Sequence, residues 1–495
     1  MYSMTPIMLT MLNLPRHIRN AFGNIMLCGI IPGQNKSEAC NLDPYLEILV
    51  DEMLYLCKCR AFSEYHKASV DVKLKLLLYV LDYPGLSKLF HIHGSGGLCG
   101  CHWCHVRGFH SAGLDKVIYL SNRSFLDKDD PLRLCVDKFY DKFEDRSSKL
   151  PARKAHEERD YRVAYKQSKN KAQANSVSTA TGCKGPYPLS LLPGHNRIEE
   201  SLPDACHTIK DFIQNIVYLI TGKKKVNVKK VMEAEAASGR EKLRVDLSAT
   251  IVTGKRKRSE ISTNQANEAT GLQAYSHLCL LTDQEIVLGN ERAAKLRVPS
   301  GFGLKPGNFL TNTRCLKSHD CKQIATQNIL KYCLRGTLGI RERTTLFFLL
   351  DCLRDICAES DADDELDELE VKVNKALALF KRDFPVHLQN ITTHFIHHIV
   401  PDIKKYGPIY STWMYVFERF NSWICKRALN MQYPEVSAIE TYILFEWCNC
   451  MISSGKLPAT AILTDHLGSY EEESLETKQE TRESEKCNVK NSVIY

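Results

Sequence analysis

The chain reads as an α/β protein that opens on short strands and closes in helices, and three features of the sequence carry that assignment. Apolar runs of strand length, closed by proline or glycine punctuation, occupy residues 5–13 and 24–31. A third run, 73–81, ends in Leu81-Asp82 and is broken by Pro84. From 315 to 450 the apolar residues recur instead at helical spacing, as Leu366, Leu369, Val373, Ala376 and Phe380 do.

Taken in order, each element follows from its own residues. After the first two strands, Asp43 is expected to cap a helix with Pro44 in its first turn. Leu46, Leu49, Val50, Met53 and Leu54 then give the stripe of a helix lying on a sheet. The strand ending at Asp82 follows. Residues 122–182 are dominated by charge and are expected to form exposed helix or loop. Pro203 to Lys225 holds one helix with an apolar side of Ile209, Phe212, Ile213, Ile216, Val217 and Ile220, ending at Gly222. Residues 232–268 have the composition of a flexible basic linker, and no internal repeat is present.

Composition sets the class. At 495 residues and 44% hydrophobic content the chain can bury two or three cores, and it is too apolar for a disordered protein. The net charge of +8 suits nucleic acid without requiring it. Residues 470–487 hold seven Glu against three Lys/Arg, a net of −4, so the rest averages about +12. That acidic end is expected to be a solvated tail. The twenty cysteines are scattered rather than framed, which favours metal-binding or buried thiols in a reducing compartment. Residues 1–15 lack the pattern of a secretory signal, and the longest apolar runs are about six residues (Leu76 to Leu81). A bilayer span needs roughly 20, so a soluble intracellular protein is expected.

Two motifs carry metal chemistry. Cys101-x2-Cys104 offers two thiolates that one turn can aim at a single Zn²⁺, although the same pair could be free cysteines in a turn. His91, His93, Cys99, His102 and His105 lie close enough in sequence to compete as ligands. His394 and His398 are four apart, on one face of a helix, while His397 faces elsewhere. The four together would make a closed Cys₂His₂ set, which argues for a structural zinc. A rival set, Cys315, His319 and Cys321, lacks an obvious fourth ligand. Asp82 and Glu418 are hard oxygen donors that would suit Mg²⁺ at an open site. The bland readings of that pair are a turn aspartate and a surface ion pair with Arg419. Lys223–Lys225 and Lys255–Arg258 could contact phosphate, and the second could act as a nuclear address.

Several blocks in one order resemble the transposase of CACTA (En/Spm, tnp2-like) DNA transposons. They are Asn13-Leu14-Pro15, Ile31-Pro32-Gly33, the stretch from Leu42 through Glu52, Asp82-Tyr83-Pro84 with Cys101-His102-Trp103-Cys104, and Leu202 to His207. Lys317-Ser318-His319-Asp320 and the span from His394 to Glu418 extend the resemblance, closest over Trp413 to Phe420. It implies an RNase H-like (DDE/D) core with a large helical insertion and a helical C-terminal region. It also implies metal-dependent DNA strand cleavage and transfer in the nucleus, with Mg²⁺ or Mn²⁺ on three acids. The second acid would be Asp82 and the third Glu418. Zinc would sit on Cys101, Cys104, His394 and His398, with His207 as an active-site histidine. Cys101 follows Asp82 by 19 residues and Glu418 follows His398 by 20, which suits the family arrangement. The partners implied are DNA, transposon terminal repeats in the ancestral reaction, and further copies of the chain, with no membrane.

The domains expected on this basis are a partial catalytic core with the zinc half-site at 1–120, a charged insertion at 121–310, a helical C-terminal domain at 311–455 and the acidic tail at 456–495. The sequence departs from the family at one point. The first acid belongs on a central strand ahead of 5–13, yet no Asp precedes Asp43. The chain is therefore expected to be an N-terminally truncated or domesticated derivative, lacking the core's first strand and catalytically impaired. The alternative is a non-catalytic, zinc-stabilised protein that binds nucleic acid or protein.

Overall fold

Proline and glycine turn the apolar N-terminal runs back on one another. In the computed structural model, which describes residues 3–33, 41–63, 65–111, 114–134, 150–222, 279–298, 307–312, 316–358, 363–430 and 432–458, β1 (Ser3–Thr10) pairs antiparallel with β2 (Ile25–Gly33). The register runs from Ser3 opposite Gly33 to Thr10 opposite Ile25, with an irregularity between Ile7 and Met8. The chain continues through α1 (Asp43–Leu56), the hairpin β3 (Arg60–Ser63) and β4 (Ala68–Asp71), β5 (Tyr79–Leu81) and α2 (Tyr83–Leu89). A second hairpin, β6 (Phe109–Ser111) with β7 (Lys116–Ile118), precedes α3 (Ala155–Lys166) and α4 (Lys171–Thr181). Strand β8 (Ser201–Pro203) leads directly into α5 (Ala205–Ile220). The principal helices after it are α6 (Asp283–Lys295), α7 (Ser318–Thr326), α8 (Ile340–Ile356), α9 (Asp363–Asp383), α10 (Ile391–Tyr406), α11 (Tyr415–Arg427) and α12 (Pro434–Ser453). The expected α/β class is therefore seen, with most of the described chain helical and only short sheets.

Residues 1–40 with 416–495 form one compact unit, and residues 41–415 form the other. In the smaller unit, Ile25, Leu27 and Ile30 of β2 pack with Val416, Phe420 and Ile424 of α11 and Ala438 and Tyr442 of α12. The Tyr442 hydroxyl accepts the Leu27 N–H at 3.0 Å, and Phe22 stacks on Phe420 at 4.6 Å.

The larger unit holds two main cores. One is helical: Ile213 and Ile216 of α5, Ile324 of α7, Leu349 of α8, Leu377 of α9 and Ile396 of α10 are fully buried in it. Each such side chain contributes about 1.5–3 kcal/mol of burial. The second core joins Leu46 and Val50 of α1, Leu86 and Leu89 of α2, Trp103, Tyr119 and Tyr187 to Ile391 and Phe395 of α10. Helix α10 serves both cores because its apolar residues form two stripes: 391 and 395 on one side, 396, 399, 400 and 403 on the other.

Three expectations need correction. Asp43 is inside α1 rather than its cap: Asn41 Oδ1 accepts the Asp43 N–H at 3.1 Å, and the Asp43 carboxylate meets His91 at 2.9 Å. The strand expected over 73–81 shortens to three residues, since its partner β8 is only three long and leaves the preceding residues unpaired. Residues 122–182 are not simply an exposed charged stretch. Arg153, Glu158 and Arg162 are buried, and so is the turn Ser121–Ser124. Lys223–Lys225, the linker 232–268 and almost all of the expected tail lie outside the described residues.

Candidate metal centre and the acidic strand ends

A guanidinium shapes the Cys101–Cys104 loop from beneath. Arg153 Nε donates to the carbonyls of Cys101 (2.9 Å) and Cys104 (3.2 Å), its Nη2 to that of Cys99 (3.3 Å), and its own N–H to Trp103 O (2.9 Å). Backbone oxygens that would otherwise be stranded in the interior are thereby satisfied. The charge is balanced by Glu158, whose carboxylate meets Arg153 at 3.0 Å, Arg197 at 2.7 Å and Arg162 at 3.2 Å. Burial alone would raise that carboxyl, but the three guanidiniums outweigh it and hold it at about 2. Trp103 Nε1 donates to Ser201 O at 2.7 Å and fastens the loop to β8.

Helix α10 brings the other half. Asn390 caps it by accepting the Thr393 N–H at 3.0 Å, and His394 and His398 follow one turn apart. Cys104 Sγ lies 3.2 Å from His394 Nε2, Cys101 Sγ 3.4 Å from His398 Nε2, the sulfurs 3.5 Å apart and the two Nε2 atoms 3.2 Å apart. All four donor atoms fall within 4.8 Å of one another. Bonds of about 2.3 Å to sulfur and 2.0–2.1 Å to nitrogen in a tetrahedron separate donors by roughly 3.3–3.8 Å. The observed separations agree within a few tenths of an ångström, so the residues fit a metal ion. Burial opposes ionisation of Cys101, but a bond from Cys104 and the two histidines hold its thiol well below the ordinary range. Cys104 is pushed well above it, by burial and then by Cys101.

The competing ligands are engaged elsewhere. His91 pairs with Asp43, His93 meets Ser178 at 2.8 Å, and Cys99 donates to Ala180 O at 3.3 Å. His105 meets Glu157 at 3.0 Å, and buried His102 lies 3.4 Å from Ser87 Oγ. His397 bonds Asn374 Oδ1 at 2.6 Å and lies flat on Phe125 at 4.0 Å. In the rival set, His319 is exposed while Cys321 is fully buried in the helical core, and Cys315 lies outside the described residues. Among the described residues, Cys101, Cys104, His394 and His398 form the one such donor group.

The second constellation lies at the carboxyl ends of two parallel strands. Leu81 of β5 pairs with Pro203 of β8, so Asp82 and Asp204 leave neighbouring strand ends. Asp82 Oδ1 caps α2 by accepting the Gly85 N–H at 2.7 Å, close enough that a Cβ at 85 would sit 2.8 Å from it. Asp204 caps α5 through the N–H groups of Cys206 and His207, pairs with the His207 ring, and accepts the Met414 N–H at 3.3 Å. Two turns beyond Asp204, the Asp211 carboxyl is raised, chiefly by burial and also by Asp82 and Asp204, against Lys210 and His207. Asp204 and Asp211 were not singled out from sequence. Pro203-Asp204 reads there as a helix start, and parallel pairing across some 120 residues has no local signature. Glu418 stands in the first turn of α11, in the smaller unit, whereas Asp82 belongs to the larger one.

No curated protein matches the chain. Residues 356–455, which include His394, His398 and Glu418, match a family described as a domain of unknown function (DUF4218). Residues 1–158, which include Asp82, Cys101 and Cys104, match the family described as transposase family tnp2. Over that segment the chain is similar to the tnp2, CACTA-type transposases.

Proposed function

We propose that this protein is a transposase derivative that binds DNA through a scaffold stapled by zinc on Cys101, Cys104, His394 and His398. Its remaining catalytic carboxylates on this reading are Asp82 and Glu418, with His207 as an active-site histidine. The observation that carries the reading is the parallel β5–β8 register, which sets Asp82 next to the Asp204–His207 pair at adjoining strand ends. The carboxyl edge of parallel strands is where α/β proteins receive their ligands.

Zinc on a closed Cys₂His₂ set supplies no reactive position and fixes α10 to the Cys101–Cys104 loop. Mg²⁺ or Mn²⁺ on the acids would polarise a phosphodiester and its attacking oxygen. The chain's own part is to hold those acids. Asp82 is fixed by its bond to Gly85, and Asp204 orients the His207 ring through Nδ1. On this reading Asp82 and Glu418 are two of the three acids that such chemistry uses. Alone, the chain is expected to bind DNA and to cleave it weakly or not at all. Nuclear location and self-association belong to the same reading. Among the described residues no helix is long and apolar enough to cross a membrane.

The test is a pair of assays on the purified full chain: DNA binding by fluorescence anisotropy across a salt series, and plasmid nicking with Mg²⁺ or Mn²⁺. Binding that weakens steeply with salt, with little or no nicking, supports the proposal. Robust nicking lost in both Asp82→Asn and Glu418→Gln would overturn the impairment. Absence of DNA binding even at low salt would overturn the function itself.

A further inference from the structure

One turn beyond His398 on α10 stands a carboxylate that the metal set does not use. Asp402 Oδ2 is sealed from solvent and has no hydrogen-bond partner among the described residues. A buried carboxylate oxygen without a donor is costly and calls for an explanation. The side chain lines a small cavity with Leu202, Ala205, Ile399 and Thr412. Of its charged neighbours on the helix, Lys404 is committed to Asp367 and Glu370, both at 2.6 Å, and Lys405 lies 3.8 Å from Glu199 at the surface. Burial pushes the Asp402 carboxyl up to about 7, against the pull of His398 first and Lys405 second.

His398 has the complementary need. Its Nε2 faces Cys101 Sγ and His394 Nε2, which leaves Nδ1 as the nitrogen that must carry the proton once a metal takes Nε2. A metal-bound imidazole ordinarily gives that proton to a carboxylate or carbonyl. Residues four apart share one helix face, which puts Asp402 on the side of α10 that carries His398. Such a carboxylate is not available at the same spacing to His394, because the residue four beyond it is His398 itself.

We infer that Asp402 is a positioning residue for the metal centre, holding His398 in the tautomer that presents Nε2. This rests on the reading of Cys101, Cys104, His394 and His398 as metal ligands.

The experiment is zinc affinity of the full chain by chelator competition, with chemical unfolding of the metal-free protein alongside. Wild type is expected to bind one Zn²⁺, and Asp402→Asn to keep that stoichiometry with affinity about 10–100-fold weaker. The metal-free Asp402→Asn chain should be as stable as wild type or more so, because a buried unpaired charge has been removed. His398→Ala serves as the control that loses the site. Unchanged affinity in Asp402→Asn, with wild type binding zinc, would overturn the inference and leave the metal centre standing. Metal-free Asp402→Asn less stable than wild type would overturn it too, by making the residue structural. No zinc bound by wild type would instead refute the metal reading on which the inference rests.

Discussion

Two thiols and two imidazoles can hold a metal only after shedding the protons that compete with it. Cys101 and Cys104 lie 3.5 Å apart with His394 and His398 against them, so proton and metal contend for one small volume. Zinc affinity should therefore rise with pH below the ordinary thiol range, by about tenfold per pH unit for each proton released. Chelator competition at a series of pH values checks this, and a flat profile would argue against thiolate ligation. At this scale the sequence was informative, because C-x2-C and H-x3-H are local spacings that fix which donors can converge. The same local logic set His397 aside, and the structure shows it bonded to Asn374 and stacked on Phe125. Asp204 and Asp211 escaped it, since their approach to Asp82 depends on a strand pairing far apart in sequence.

The element scale was only partly legible. Apolar stripes marked α1, α5 and α9 because a helix facing a core must repeat at its own period. Charged composition over 122–182 suggested solvent, yet α3 turns Glu158 inward to meet Arg153, Arg162 and Arg197. A residue count cannot show that one carboxylate meets three guanidiniums in the interior. Since Arg153 also carries the carbonyls of the Cys101–Cys104 loop, this cluster ties α3 to the metal centre. Glu158→Gln leaves buried guanidiniums short of a counter-charge and should cost about 3–5 kcal/mol in urea unfolding. The folded carboxyl is held at about 2, below its ordinary value of 4.5. The stability it contributes is therefore fully present above about 4.5 and is lost as pH falls toward 2. Wild type should show that loss, and Glu158→Gln should show a shallower one. A variant as stable as wild type at neutral pH would mean that the cluster is dispensable.

At the scale of the whole molecule, a family match, a metal centre and a pair of strand ends bear on one another. The transposase family match covers residues 1–158, which hold Asp82, Cys101 and Cys104, and the domain of unknown function covers residues 356–455, which hold His394, His398 and Glu418. A four-donor site drawn from both matched segments requires that residues about 290 apart in sequence meet within one unit, as they do across Cys104 and His394. Short sheets and long helices were foreseeable in kind. The sharing of α10 between two cores was not, because each stripe looks like an ordinary amphipathic face when read alone. X-ray absorption at the zinc edge on the purified full chain tests the central claim most directly. One zinc is expected, with two sulfur neighbours at about 2.3 Å and two nitrogen neighbours at about 2.0–2.1 Å. A chain without bound metal, or a shell of oxygen alone or of four sulfurs, would contradict it.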